Sequence, residues 1–195
     1  MAVGILGLQG AVQEHIPHLR HCGAQPVVVR SKETLARVAR LIIPGGESTV
    51  MLKFLREFDM LAFLQRRIAE GLPVWGICAG AIVLAEEIDG RPGPVGALPA
   101  SLIRNAYGRQ IASRQHRLAI PLFAQPDYPA MFIRAPRILR VGQEVRIHAV
   151  LRHPDAASPN APADPVFVQH GRVMATTFHP ELNGDHLFHR YFLTI

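Results

Sequence analysis

The segment Gly76-Ile77-Cys78-Ala79-Gly80 sets one cysteine between two glycines. It follows the apolar run Pro73-Val74-Trp75 and precedes Ala81-Ile82-Val83-Leu84-Ala85, so a buried strand passes into a helix through a sharp turn at the thiol. This is the G-x-S-x-G nucleophile elbow with sulfur in place of oxygen. The turn is strained, and side chains beside the nucleophile would clash, which explains the flanking glycines. A thiol lifted to a helix N-terminus is biased toward thiolate, its reactive form. A buried, inert cysteine is the alternative reading, because free cysteine is among the most buried residue types.

A cysteine nucleophile needs a base, and the base needs a group to orient it. Phe178-His179-Pro180-Glu181 offers both, directly after a strand expected at 173–177. Pro180 stiffens the loop, and Glu181 is close enough in sequence to hold the His179 imidazole. Cys78 and His179 are far apart in the chain and can meet only through the fold. With 10 histidines present, any one of them carries little weight by itself. His170 is the main rival, although its place beside Gly171 at a strand end suits a hairpin turn better. Acyl chemistry also needs donors for a developing oxyanion. The Ala79 N–H is one; the other comes from Gly45-Gly46, with Gly46 the expected donor, where glycine lets the backbone approach a ligand closely. Pro44-Gly45-Gly46-Glu47-Ser48 reads equally as a tight turn with Ser48 capping the next helix, and both roles can hold at once. Two glycines also let the peptide between them take either orientation.

The elements that must position these groups alternate in the first half. Apolar strands are expected at 3–8, 26–29, 41–43 and 73–77. Helical spacing appears at 12–22, with Val12, Ile16 and Leu19 on one face, and at 49–70, as one long or two short helices. Pro17 inside the first pattern delays or kinks that helix. Alternating β and α predicts an α/β fold: three layers, a mostly parallel central sheet flanked by helices. Ligands then sit beyond the carboxyl ends of the strands, where Cys78 and the Pro44–Ser48 loop both fall. Residues 101–120 and 144–177 carry shorter alternating strands, read as antiparallel additions to the same sheet. Residues 154–165 read as an exposed, disordered loop, and 185–193 as a closing helix.

The 195 residues suit a single domain spanning 1–195. With 49% hydrophobic and 18% charged residues and no apolar run near ~20 residues, the composition is that of a globular protein without a membrane span. The N-terminus lacks a basic region and enters a strand at once, so no signal peptide is expected. Two cysteines, Cys22 and Cys78, give no disulfide framework and point to the cytoplasm. The net charge of +6 does not indicate nucleic acid, because the arginines are scattered and lack aromatic interleaving. It suits an acidic protein partner or an anionic substrate.

Cysteine on an elbow, a Pro-Gly-Gly loop and a distant His-Pro-Glu together resemble the class I glutamine amidotransferases, a flavodoxin-like α/β family. Within them the chain is similar to the glutaminase subunits of pyridoxal 5′-phosphate synthase. The matching segments are Gly7-Leu8-Gln9-Gly10, Glu14-His15, the run from Leu41 to Thr49, and the elbow. They continue with Arg104-Asn105-Ala106-Tyr107-Gly108-Arg109-Gln110, Phe132-Ile133-Arg134-Ala135-Pro136, Phe178-His179-Pro180-Glu181-Leu182 and Asp185. The resemblance implies Cys78 as nucleophile, completed by His179 and Glu181. It implies that Gly46, Glu47, Ser48, Arg104, Ile133 and Arg134 hold L-glutamine, with no cofactor or metal. It further implies hydrolysis through a γ-glutamyl thioester, and a hetero-oligomer in which ammonia passes to a synthase subunit. Gln9 and Glu14 are candidates for the docking face. One departure is visible: relatives carry an acidic and aromatic stretch where this chain has Ala112-Ser113-Arg114-Gln115. Two other readings are another cysteine-elbow α/β enzyme and a non-catalytic assembly subunit.

Overall fold

The computed structural model describes residues 1–104, 113–152 and 163–195. Strand and helix alternate through the first half as β1 (Ala2–Leu6), α1 (His15–His21), β2 (Gln25–Val29), α2 (Lys32–Arg37), β3 (Arg40–Ile43), α3 (Ser48–Glu57), α4 (Leu61–Ala69), β4 (Val74–Ile77) and α5 (Ala79–Leu84). Strands then dominate: β5 (Ala85–Ile88), β6 (Arg91–Pro92), β7 (Leu98–Ile103), β8 (Ser113–Ile120), β9 (Gln125–Ile133), β10 (Arg137–Val141), β11 (Arg146–Leu151), β12 (Asp164–His170) and β13 (Val173–Thr176). The helix α6 (Leu187–Phe192) closes the chain.

The central sheet has seven strands in the order β11-β12-β13-β4-β3-β1-β2. From β13 to β2 the strands are parallel, while β12 and β11 add antiparallel to one edge. The second half is therefore only partly an extension of this sheet. Strands β5, β6, β7 and β10 form a separate four-stranded sheet, and β8–β9 a two-stranded one. A period-2 pattern fixes which face of a strand is apolar, not which neighbour it pairs with.

Side chains alternate between two cores across the central sheet. Leu41, Ile43, Val74 and Ala175 face α2–α5 and the four-stranded sheet. Ile42, Trp75 and Met174 face α1, α6 and the β8–β9 hairpin. Helix α1 starts late, at His15, with Pro17 in its first turn, where a missing N–H costs nothing. The 49–70 pattern is two helices, broken at Asp59, which has φ 53°. The short helix α2, capped by Ser31 accepting from the Thr34 N–H at 3.3 Å, has no counterpart in the sequence reading. Of the expected 154–165 loop, residues 153–162 lie outside the described residues, while Asp164 and Pro165 belong to β12. Residues 105–112, including part of the Arg104–Gln110 motif, also lie outside them. Among the described residues no helix is long and apolar enough to cross a membrane.

Helices α1 and α6 meet through buried histidines: His15, His18 and His189 are 0%, 5% and 1% exposed. Burial pushes the His15 pKa down to about 4, with Glu181 pulling the other way. His15 thus stays neutral in the fold, whereas in the unfolded chain it takes up a proton from about pH 6.5. Its contribution to stability is complete above that pH and is lost as pH falls toward 4, by up to about 3 kcal/mol. The urea midpoint should therefore fall between pH 7.5 and pH 5, and fall less in His15→Gln; an unchanged midpoint would contradict this.

Candidate active site

Strand register assembles the site. In β4, Gly76 lies opposite Ile43 of β3, and Ile77 opposite Thr176 of β13. The next residue, Cys78, donates its N–H to the Thr176 carbonyl at 2.8 Å. Three parallel strands thus end together, delivering Cys78, His179 and the Gly45-Gly46 loop to one end of the sheet.

The elbow is strained at the cysteine, with Cys78 at φ 49° and ψ −99°, a conformation costing about 1–3 kcal/mol. Its glycines are needed for space, since neither has positive φ. A Cβ on Gly80 would lie 2.0 Å from the Ile43 carbonyl oxygen, and one on Gly76 2.6 Å from the Gly80 main chain. Helix α5 can start directly after Cys78 only because its backbone rests directly on β3. The first bond within that helix runs from Ile82 N to Cys78 O, so the Ala79 N–H has no partner within it.

The His179 main chain is anchored by its N–H to the Met131 carbonyl at 2.8 Å. Its Nδ1–H donates to Glu181 Oε1 at 2.7 Å. In the neutral ring this leaves the lone pair on Nε2, which is buried and forms no hydrogen bond here. Burial works to lower the His179 pKa, but interaction with Cys78 and Glu181 outweighs it and raises the pKa to about 10. Burial likewise works to raise the Glu181 pKa, but the His179 hydrogen bond, the influence of nearby His15 and the His179 charge hold it below the usual carboxylate range. An ionised Glu181 therefore stabilises an imidazolium next to the thiol. The Cys78 Sγ lies 3.8 Å from the Ile133 carbonyl oxygen. The rival His170 lies in the β12–β13 hairpin, 3.5 Å from Glu144, away from the cysteine.

A cleft of about 540 Å³ lies over Cys78, His179 and Glu181. Cys78, Ala79, His179, Glu181, Gly46, Glu47, Ser48, Arg104, Ile133 and Arg134 all line it. The Gly45-Gly46 loop is braced from β1's extension. The Gly45 carbonyl accepts from the Ala11 N–H at 3.0 Å, and Gln9 Oε1 accepts from the Glu47 N–H at 2.8 Å. The Gly45–Gly46 peptide is trans, so its N–H points opposite to the carbonyl held by Ala11. Gln9, a candidate for the docking face, is half-buried and also braces this loop, while Glu14 is exposed. Glu47, rather than Ser48, caps α3, its carboxylate accepting from Thr49 and Val50 N–H groups at 3.1 and 2.8 Å. Arg104 is gripped by Asp89, which accepts from its main-chain N–H at 3.0 Å and from Nε at 2.6 Å. Asp89 was absent from the sequence reading; its signal is the turn dipeptide Asp89-Gly90. Arg134 follows β9 at φ 45°, another strained position at the cleft.

A family model described as the SNO glutamine amidotransferase family matches residues 5–195. The chain belongs to that family. It is 43% identical over 194 residues to "Pyridoxal 5′-phosphate synthase subunit PdxT" of Thermotoga petrophila, covering 99% of this chain and 98% of that one. It is 44% identical over 198 residues to the protein of the same name from Herpetosiphon aurantiacus, covering 99% of each. A crystal structure of a glutamine amidotransferase superposes with TM-score 0.86 at 41% identity, covering 98% of this chain and 97% of that one. A PurLQS structure from Thermotoga maritima, at 15% identity and TM-score 0.66 over 95% of this chain and 90% of that one, shares the fold.

The two cysteines differ sharply. Cys22 closes α1, and burial pushes its thiol pKa up against the opposing charge of Arg190. A glutamine-like electrophile should label Cys78 and spare Cys22 at neutral pH. Peptide mapping that found Cys22 modified first would contradict the elbow assignment.

Proposed function

We propose that this chain is the glutaminase subunit of a pyridoxal 5′-phosphate synthase. It hydrolyses L-glutamine to L-glutamate and ammonia and hands the ammonia to a synthase subunit. The observation that carries this reading is the buried Cys78–His179–Glu181 constellation at the floor of a cleft, in a chain of the SNO glutamine amidotransferase family whose relatives are named pyridoxal 5′-phosphate synthase subunits.

In the first half-reaction the Cys78 thiolate attacks the side-chain amide carbon of glutamine. The carbonyl oxygen becomes an oxyanion, for which the Ala79 and Gly46 N–H groups are the donors. The His179 imidazolium, held by Glu181, gives its Nε2 proton to the departing nitrogen, which leaves as ammonia. The product is a γ-glutamyl thioester on Cys78. In the second half-reaction His179 Nε2 takes a proton from water, whose oxygen attacks the thioester carbon; the C–S bond breaks and glutamate leaves. Glu181 stays ionised throughout, orienting the ring rather than accepting its proton. Arg104 and Arg134 at the cleft suit the substrate α-carboxylate, which planar guanidinium groups bind well. The alternatives, another cysteine-elbow enzyme or a non-catalytic assembly subunit, are separated by one assay: ammonia release from glutamine, with and without a synthase partner.

In the complex with its partner, Cys78→Ser should lower kcat by more than about a thousandfold with the fold intact. Glu181→Gln should cost less than His179→Ala, because a neutral amide still orients the ring whereas no proton moves without the imidazole. Equal or reversed losses would mean the roles are misassigned. The chain alone should be poorly active. Gln9 and Ala11 tie residues 9–11 to the oxyanion loop, so a partner seated on this segment selects the productive orientation of the Gly45–Gly46 peptide. Full activity without the partner, unchanged on adding it, would contradict this coupling.

A further inference from the structure

The triad does not end at Glu181. His15 and His18 on α1 and His186 and His189 at α6 gather on the far side of this carboxylate, outside the cleft. His18 is buried, and its Nε2 lies 3.1 Å from the Glu181 main-chain oxygen. A carbonyl only accepts, so this nitrogen carries the proton. In that tautomer of the ring Nδ1 accepts, and His186 Nδ1, 2.8 Å away, donates. The His18 ring also stacks on His189, with 4.3 Å between centroids and 5° between planes. His189 in turn meets His15, Nε2 to Nδ1, at 2.9 Å. Among the described residues no group of three or more such side chains is arranged to hold a metal ion.

Three polar atoms at this junction are buried and unpartnered: Glu181 Oε2, His15 Nε2 and His189 Nδ1. An unsatisfied buried carboxylate oxygen is costly, and His15 is a neighbour that can offer it a proton. With Nε2 protonated, His15 accepts at Nδ1 from His189 Nε2–H, and only the His189 Nδ1 lone pair is left over, which is itself buried and unpartnered. Every N–H in this chain of rings then points toward Glu181. The mutual influence of His15 and Glu181 on each other's ionisation agrees with this polarity.

We propose that His15 and His18 are positioning residues for the glutaminase reaction, His15 directing an N–H at the Glu181 carboxylate and His18 holding the Glu181 main chain. The inference rests on the triad reading above. Their task is to fix the carboxylate that fixes His179; neither touches substrate.

The test uses amide isosteres in the complex with the synthase partner. At position 15, Gln places an N–H where Nε2 stands, and Asn places one where Nδ1 stands. His15→Asn should lower kcat about tenfold or more, a difference of about 1.4 kcal/mol in the barrier. The glutamine KM should stay within about twofold, and the pH profile of Cys78 alkylation should shift. His15→Gln should keep kcat within about threefold. His18→Gln and His18→Asn should split in the same way. In a Glu181→Gln background, His15→Asn should add less than about twofold, because the two act through one another. Equal losses in Asn and Gln variants that track Tm, or an unchanged kcat in His15→Asn, would overturn the proposal. If Glu181→Gln itself has no effect, the triad reading fails first; if Glu181→Gln is damaging and His15→Asn is silent, only the extension fails.

Discussion

Everything in this site depends on the contact between the Gly80 backbone and the Ile43 carbonyl. With a side chain at position 80, α5 would have to lift from β3, and the turn at Cys78 would relax. The cost of the cysteine's φ of 49° is met by this packing and by the Cys78 N–H bond to Thr176. Because β3, β4 and β13 are in parallel register, the same contact aligns the Gly45-Gly46 loop, Cys78 and His179, the groups of the proposed mechanism. The chemistry is thus placed by main-chain geometry, and the reacting side chains have little freedom left to lose.

Burial then sets the electrostatics. Removing His179 and Glu181 from water penalises each charge, yet their hydrogen bond, joined at His179 by the neighbouring thiol, reverses the outcome for both. The imidazolium and the carboxylate stabilise one another and titrate as a unit. The same burial keeps His15 and His189 neutral, with pKa values driven down. A charged pair and a neutral histidine layer meet at Glu181.

Much of this was legible in the sequence because it depends on local chemistry. The elbow glycines, the Pro-Gly-Gly loop and His-Pro-Glu each demand special backbone, and all fall at strand ends in the fold. Other features depend on partners remote in sequence. Helix α2 buries only Leu35, so no apolar period marks it. The apolar spacing over 12–22 rests on Val12, Ile16 and Leu19, which places His15 and His18 off that face; α6 covers them. Arg104 has a clear motif, but its hold by Asp89 arises from the pairing of β5 with β7. The separate four-stranded sheet escaped for the same reason, since alternation does not name a partner strand.

The central claim is that Cys78 carries the γ-glutamyl group during glutamine hydrolysis. The direct measurement is acid quenching of the complex during turnover, followed by peptide mass analysis. The account predicts a γ-glutamyl adduct on the Cys78 peptide, absent from the Cys22 peptide, that decays when glutamine is exhausted. Continued ammonia release with no adduct on Cys78, or with the adduct on Cys22, would contradict it.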